Sequence, residues 1–203
     1  IAAGGLVRKG LLAWSLREAN LLLAGEVTPE SRIVLERSVF SRVFKIAPFL
    51  RYPEAPYPVV HDGRVHWILE GYTATRYFQL SRPVELEFRR EVAYARNSVK
   101  VTVDAVTGDV AFYVADDEDP LLASWRRAHP ELFRPLAEMP EGLAAHLRYS
   151  RSLMALQAAV LLQYHQEDPS VFFGQQDQWA TPQELAQSTA PVPYRAEYGI
   201  FEM

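Results

Sequence analysis

Two alternating apolar segments near the middle of the chain restrict the fold more than any other feature of the sequence. In residues 98–105 and 110–115, every second side chain is a valine or a phenylalanine. A period of two is typical of a β-strand, because successive side chains point to opposite faces of a sheet. Thr107-Gly108 lies between the segments and suits a short turn. We therefore predict a hairpin with one buried face, whose other face contacts water or is covered by another element.

A second hairpin precedes the first one in the chain. Residues 58–61 and 64–69 flank Asp62-Gly63, a dipeptide that tolerates the positive φ angles of a tight turn. Residues 73–90 are charged and weakly patterned, which favours a loop or an edge strand. The two hairpins are expected to form one antiparallel sheet.

Helical patterns flank this β region on both sides. Residues 6–23 have apolar side chains at spacings of three and four, and Thr28-Pro29 offers a cap and a first helical residue for a second helix that reaches Ala47. After the hairpins, Asp119-Pro120 is expected to begin a further helix and Ser150 the longest one. A capping-box pattern with Glu at its fourth position is present in residues 181–184.

These patterns predict an α+β fold in which antiparallel β-hairpins form a sheet that packs against several α-helices. We expect one domain over residues 1–203, helical in 6–50, with the β-hairpins in 57–115, and helical again in 119–190. Trp67, Trp125 and Trp179 lie on or beside apolar stripes, so they are expected to be largely buried.

Composition excludes several classes of protein. The 203 residues carry a formal charge of −4, whereas nucleic-acid binding normally needs a basic surface. The absence of cysteine rules out disulfides and thiolate metal sites. No apolar run reaches the roughly 18 residues of a membrane span. The start at Ile1 instead of a methionine suggests a fragment of a larger protein. We predict no cofactor and no nucleic-acid partner.

Two groups of residues have a metal-binding interpretation. Asp116, Asp117 and Asp119 could offer oxygen ligands to Ca²⁺ or Mg²⁺, but Asp119 is also well placed to cap the following helix. His61 and His66 fall on one face of the first hairpin, roughly 7 Å apart at Cα. Two imidazoles leave a zinc site incomplete, since zinc takes at least three protein ligands. Capping and a solvated hairpin face are the simpler interpretations.

Two other groups have a ligand-binding interpretation. Arg96, Asn97 and Lys100 lie along one strand and could form a polar binding surface, or they could pair with charges on the neighbouring strand. His146 and Arg148 could bind an anion, since arginine offers a planar fork of donors. Both residues are also placed near a predicted helix end, where cationic groups meet exposed carbonyls.

Four stretches together resemble uncharacterised protein family 0182, a family of large bacterial multi-pass membrane proteins. They are SRIVLERSVFSRVFKIAPFL (31–50), YPVVHDGRVHWILEGYTATRYF (57–78), RNSVKVTVDAVTGDVAFYVADDEDPLLASW (96–125) and HLRYSRSLMALQAAVLLQYHQEDPSVFFGQQDQW (146–179). The resemblance implies several membrane helices in the parent protein, followed by a long extracytoplasmic region that contains this chain. It implies no catalytic residues.

Three functions are consistent with these features. The first is a soluble, non-enzymatic extracytoplasmic module with a binding or assembly role, whose partner is the rest of the parent membrane protein. The second is a metal-assisted hydrolase or transferase that acts on cell-envelope material. The third is a regulatory domain, because residues 101–110 are similar to the hairpin of extracytoplasmic PepSY-type domains. Leucines and Trp14 on several sides of the first helix also suggest an exposed apolar surface, and with it a homodimer.

Overall fold

The structure is a computed structural model that describes residues 2–33, 35–81, 83–86, 90–177, 179–180, 183–184 and 192–193. It divides into two compact units, Ile1–Lys45 and Ile46–Met203. No described helix is both long and apolar enough to cross a membrane.

The helices described in the first unit are α1 (Leu6–Leu16), α2 (Asn20–Leu23) and α3 (Val39–Ile46), whose last residue lies in the second unit. The predicted helix over residues 6–23 is interrupted at Arg17, which has a left-handed φ of 53°. The predicted helix after Thr28 begins only at Val39. The reason is that the backbone before α3 is used elsewhere: the Ala3 N–H donates to the Ser31 carbonyl at 2.7 Å, and Ala2 bridges Arg32.

A five-stranded sheet is the centre of the second unit. Its strands are β1 (Tyr57–His61), β2 (Arg64–Thr75), β5 (Tyr94–Asp104), β6 (Val110–Val114) and β7 (Phe133–Pro135), in that spatial order. All neighbours are antiparallel except β6 and β7, which are parallel. Two shorter pairs lie outside this sheet: β3 (Val84–Leu86) with β4 (Arg90–Val92), and β8 (Gln183–Glu184) with β9 (Val192–Pro193).

The sheet and its helices confirm the α+β prediction and both predicted hairpins. Asp62 and Gly63 take φ angles of 50° and 69°, and His61 opposes Arg64 as expected. The central strands β2 and β5 are longer than predicted, and their pairing is irregular between Gly71 and Thr73. At that point the Tyr72 backbone pairs with Arg51 instead, in two hydrogen bonds of 2.7 and 2.8 Å.

The remaining described elements follow β6 in the chain. They are α4 (Pro120–Ala128), a 3₁₀ turn (Leu136–Glu138), α5 (Glu141–Ala144), α6 (Arg151–Tyr164) and α7 (Pro169–Phe173). The predicted helix starts at Asp119 and Ser150 are confirmed, since both side chains accept a backbone N–H at the N-terminus of their helix. Of the predicted capping box, Gln183 and Glu184 lie in β8, while Thr181 and Pro182 fall outside the described residues.

Both faces of the central strands are covered. Val99, Val101 and Val103 are buried, and so are Lys100 and Thr102 between them. A cluster in the second unit packs the 3₁₀ turn and α5 against the sheet; it consists of Val59, Ile68, Tyr113, Met139 and Leu143. Since Tyr113 pairs with Lys100, this cluster lies on the same face as the polar residues of β5.

The predicted burial of the tryptophans is wrong for two of the three. Trp125 and Trp179 are exposed, and Trp67 is half-buried. Trp125 stacks on Phe49 with ring centroids 4.1 Å apart, and Trp179 stacks on His165 at 4.0 Å. Each ring is therefore partly covered by an aromatic neighbour and keeps a solvent-exposed fraction of 36% for Trp125 and 53% for Trp179.

Candidate functional site

The buried carboxylate of Asp119 is the centre of a polar cluster between the sheet and α4. Asp119 immediately precedes Pro120, the first residue of α4, and it is 1% exposed. Its Oδ1 accepts hydrogen bonds from the Tyr94 hydroxyl at 2.8 Å and from the Leu121 N–H at 3.0 Å. Its Oδ2 accepts from the hydroxyls of Thr73 and Ser98, both at 2.5 Å. One side chain therefore connects β2, β5 and α4.

Hydrogen bonding keeps this carboxylate ionised. Burial opposes the charged form of Asp119, but the donors from Ser98, Thr73, Tyr94 and Leu121 outweigh it and hold the pKa below its usual range. For Tyr94, burial and the hydrogen bond to Asp119 raise the pKa of the phenol. Asp119 thus acts as a charged acceptor, and Tyr94 as a neutral donor.

A second polar cluster lies on the face of the sheet that carries Lys100. Glu70 and Lys100 are directly opposite each other on β2 and β5, and their side chains form an ion pair. Glu70 is only 2% exposed, and its Oε2 also accepts a hydrogen bond from Asn97 Nδ2 at 2.8 Å. Within the described part of the chain, Glu70 Oε1 and Asn97 Oδ1 are buried without a hydrogen-bond partner. The sequence allowed Lys100 either to contribute to a binding surface or to pair with a charge on the neighbouring strand, and the structure shows the cross-strand pair.

The acidic cluster does not converge on one point. Asp116 accepts from Arg96 at 2.9 Å, Asp117 accepts from Arg126 at 2.6 Å, and Asp119 faces the sheet. The predicted capping role of Asp119 is confirmed. No group of three or more His, Asp or Glu side chains among the described residues is arranged to hold a metal ion. Metal binding at these three aspartates stays a prediction.

His61 and His66 lie on the same face of the first hairpin, as expected. Their ring centroids are 6.0 Å apart. The His61 imidazole lies against α5 so closely that a Cβ on Gly142 would be 2.4 Å from His61 Nδ1. Its Nε2 is 3.4 Å from Asp62. The His61 ring is thus a packing element between β1 and α5.

His146 and Arg148 both contact Tyr57. The Tyr57 hydroxyl donates to the His146 carbonyl at 3.4 Å, and the Arg148 guanidinium lies 4.5 Å from the centre of the Tyr57 ring. These residues follow α5, which ends at Ala144. The Arg148 guanidinium thus packs on the aromatic ring of Tyr57 in β1. Anion binding by His146 and Arg148 stays a prediction.

Sequence reasoning missed a third polar cluster, formed by Glu54, Tyr72 and Ser150. The Ser150 hydroxyl is hydrogen-bonded to the Tyr72 hydroxyl and to the Glu54 carboxylate, and Glu54 also accepts the Ser152 N–H at 3.0 Å. Ser150 caps α6, so this cluster fixes the start of that helix against β2. About 80 to 100 residues separate the partners in the chain, so no local pattern could have indicated it.

A groove lies between α6 and the start of β5. It has a volume of about 310 Å³, and its wall includes Tyr94, Arg96, Leu156 and Val160. Of the described residues that form this wall, three are polar: Tyr94, which is engaged with Asp119, Arg96, which is engaged with Asp116, and Ser81; the other six are apolar. The surface of the groove is therefore chiefly apolar.

The groove continues an apolar surface on α6. Only one of the 14 residues of α6, Arg151, is charged. Met154, Val160, Leu161 and Tyr164 are exposed, and their spacing places them within one side of the helix. Val99 and Phe112, by contrast, are fully buried in the sheet. The groove and the exposed side of α6 thus form one apolar surface of the second unit.

Comparison with known proteins gives one family. The family model described as "Uncharacterised protein family (UPF0182)" matches residues 1–203. Similar proteins include UPF0182 proteins of Cupriavidus necator, 42% identical over 95% of this chain and 21% of the relative, and of Clostridium perfringens, 46% identical over 80% of this chain and 17% of the relative. A UPF0182 protein of Methanospirillum hungatei is 40% identical over 91% of this chain and 21% of its own length.

The chain thus spans about a fifth of the length of the curated relatives it matches. No solved structure matches it. Because the family model covers the whole chain and the relatives are about 40% identical to it over the aligned residues, the chain belongs to the uncharacterised protein family UPF0182.

Proposed function

We propose that this chain is a binding and assembly module within a much longer UPF0182 membrane polypeptide, and that the exposed side of α6 packs against another part of that polypeptide. The observation that carries the proposal is the apolar character of α6 together with its exposure. A helix with large apolar side chains on most sides is stable in water only when it is covered. Leu161 is 59% exposed in the chain by itself.

The occupant is a segment of the same polypeptide because the relatives carry roughly four times as much additional sequence as this chain supplies. The buried polar clusters support a structural role for the module. Asp119, Glu70 and Ser150 each join separate elements through hydrogen bonds to protein groups. In the Asp119 cluster both carboxylate oxygens have protein donors, and a satisfied network of this kind specifies one packing of the core.

We further propose that the module lies on the extracytoplasmic side of a multi-pass membrane protein. This part of the proposal rests on the arrangement implied by the resemblance to the family, in which N-terminal membrane helices precede a long extracytoplasmic region. The metal-assisted hydrolase is not favoured, since Asp116, Asp117 and Asp119 are each engaged by a different protein donor.

Cysteine labelling in the full-length polypeptide tests both parts of the proposal. The chain has no cysteine, so Leu161→Cys and the control Val106→Cys each introduce one thiol into it. Val106 lies in the turn between β5 and β6 and is 78% exposed. With a membrane-impermeant maleimide on intact cells, we expect labelling at position 106 and protection at position 161 until the protein is denatured.

The labelling results test the assembly role, the side of the membrane and the occupant of α6 separately. Equal labelling rates at positions 161 and 106 in the native full-length protein would contradict the assembly role. Labelling at position 106 only after cell lysis would contradict the extracytoplasmic placement. If position 161 in the 203-residue chain becomes protected as its concentration rises, a second copy covers α6, and the proposed occupant is wrong.

A further inference from the structure

The first helix carries an exposed apolar stripe that is separate from α6. Val7, Leu11 and Trp14 follow a spacing of four and three residues, which places them on one side of α1. All three are at least two-thirds exposed, and Trp14 is 87% exposed. The buried side of the same helix carries Ala13. The stripe is therefore the outer face of α1.

Exposed cations lie at both ends of the stripe. Arg8 is next to Val7 in the first turn, and Arg17 ends the helix three residues after Trp14. The third cation, Lys9, points away and donates to the Ala24 carbonyl at 3.4 Å. The one acid of this segment, Glu18, accepts the N–H of Asn20 at 3.2 Å. The surface around the stripe is thus apolar in its centre and positively charged at its ends.

We infer that α1 binds the surface of a bilayer that contains anionic lipids, with Val7, Leu11 and Trp14 at the boundary of headgroups and acyl chains. Tryptophan is enriched at this boundary because its ring is apolar and its N–H is polar. Arg8 and Arg17 pair with lipid phosphates, which adds the charge attraction that stable interfacial binding needs. The helix lies along the surface, since 11 residues span roughly 16 Å and a bilayer core is about 30 Å thick.

The size of the stripe favours a lipid surface over a protein partner. A stable protein interface uses about 20–30 residues on each side. The stripe offers three apolar side chains in one line on a helix of 11 residues, and with Leu6 and Leu16 the exposed apolar side chains of α1 are five, far below that number. A lipid surface needs no complementary shape, so a narrow stripe with flanking cations is sufficient.

Fluorescence quenching by brominated lipids tests the contact in the full-length polypeptide, reconstituted in phosphatidylcholine:phosphatidylglycerol vesicles. An environment-sensitive dye is attached at Leu11→Cys and, as the control, at Val106→Cys. We expect quenching by lipids brominated on the acyl chain at position 11 and none at position 106. An unquenched dye at position 11 overturns the inference, and a blue-shifted but unquenched dye identifies a protein contact instead.

Sedimentation of the 203-residue chain with vesicles tests the role of charge. Binding to phosphatidylcholine:phosphatidylglycerol vesicles should exceed binding to pure phosphatidylcholine. Arg8→Gln and Arg17→Gln should each weaken it about fivefold. Leu11→Glu should abolish binding, whereas Val106→Glu should leave it unchanged. Equal binding to both vesicle types, or equal binding of Leu11→Glu and Val106→Glu, would overturn the inference. Circular dichroism confirms that each variant is folded.

Discussion

The hydroxyl of Tyr94, the first residue of β5, donates a hydrogen bond of 2.8 Å to the carboxylate that caps α4, Asp119. Thr73 and Ser98 donate to the same carboxylate, so one residue fixes the position of α4 against the two central strands. Tyr94 also lines the groove beside α6. The polar core of the second unit and its apolar surface are therefore built on the same part of β5.

Replacing Asp119 with Asn should destabilise the fold. The amide keeps one acceptor oxygen but turns a donor toward hydroxyl groups that donate to the carboxylate. Hydrogen bonds to charged groups contribute about 1.5–3 kcal/mol each, and we expect a loss of at least this size. Urea denaturation measures it. Glu118→Gln, at the neighbouring exposed position, serves as the control and should change the free energy of unfolding by less than about 0.5 kcal/mol.

The contribution of Asp119 should depend on pH in one direction. Its pKa is lower in the folded protein than its ordinary value of 3.8. The stabilisation is then fully present above that ordinary value and is lost as the pH falls through the lower folded-state pKa. The difference in unfolding free energy between the wild type and Asp119→Asn should stay constant from pH 7 to pH 5 and shrink below about pH 4. A difference that grows on acidification would contradict this assignment.

Removing only one partner of the buried ion pair between Glu70 and Lys100 should lower the free energy of unfolding strongly. Lys100→Met leaves a buried carboxylate without its cation, which typically costs about 3–5 kcal/mol. The double variant Glu70→Leu/Lys100→Met removes both charges and should be more stable than Lys100→Met. Lys45 and Glu36 form an exposed pair, and Lys45→Met should cost at most about 1 kcal/mol. A double variant less stable than Lys100→Met would contradict this account, because Glu70 would then stabilise the sheet without its cation.

Gly142 should not tolerate a side chain while His61 is present. A Cβ at this position would meet the His61 ring at 2.4 Å, so Gly142→Ala must displace the imidazole or α5, at a cost of about 1–3 kcal/mol. His61→Ala should relieve most of that cost in the double variant. Gly10, whose added Cβ would meet nothing within 4 Å, is the control, and Gly10→Ala should stabilise α1 by about 0.5–1 kcal/mol. Thermal denaturation of Gly142→Ala, His61→Ala, the double variant and Gly10→Ala measures these differences in stability.

The hairpins could be predicted because their signals are local. The turn dipeptides and the alternation of β5 and β6 lie within a few residues of the pairing that they specify. The starts of α4 and α6 are local in the same sense, since Asp119 and Ser150 accept a backbone N–H from two or three residues along the chain. Local patterns of this kind predict the element correctly unless the backbone groups of that element form hydrogen bonds elsewhere in the fold.

The late start of α3 and the buried polar clusters could not be predicted in this way. Residues 29–32 pair with the N-terminal segment, which removes backbone groups that a helix after Thr28 would need. Glu70 and Lys100 are 30 residues apart, and Glu54 and Ser150 are 96 apart. The exposure of Trp125 could not be predicted either, because its position on an apolar stripe does not reveal how much of the ring its neighbours Phe49 and His129 cover.

Hydrogen–deuterium exchange of α6 tests the proposed assembly role most directly. The amides of Arg151–Tyr164 are compared between the 203-residue chain and the full-length polypeptide, with those of Pro120–Ala128 in α4 as the internal reference. Covering the exposed side of α6 stabilises the helix against local opening. We predict at least tenfold slower exchange of α6 in the full-length polypeptide and unchanged exchange of α4. Equal rates for α6 in both proteins would contradict the proposal.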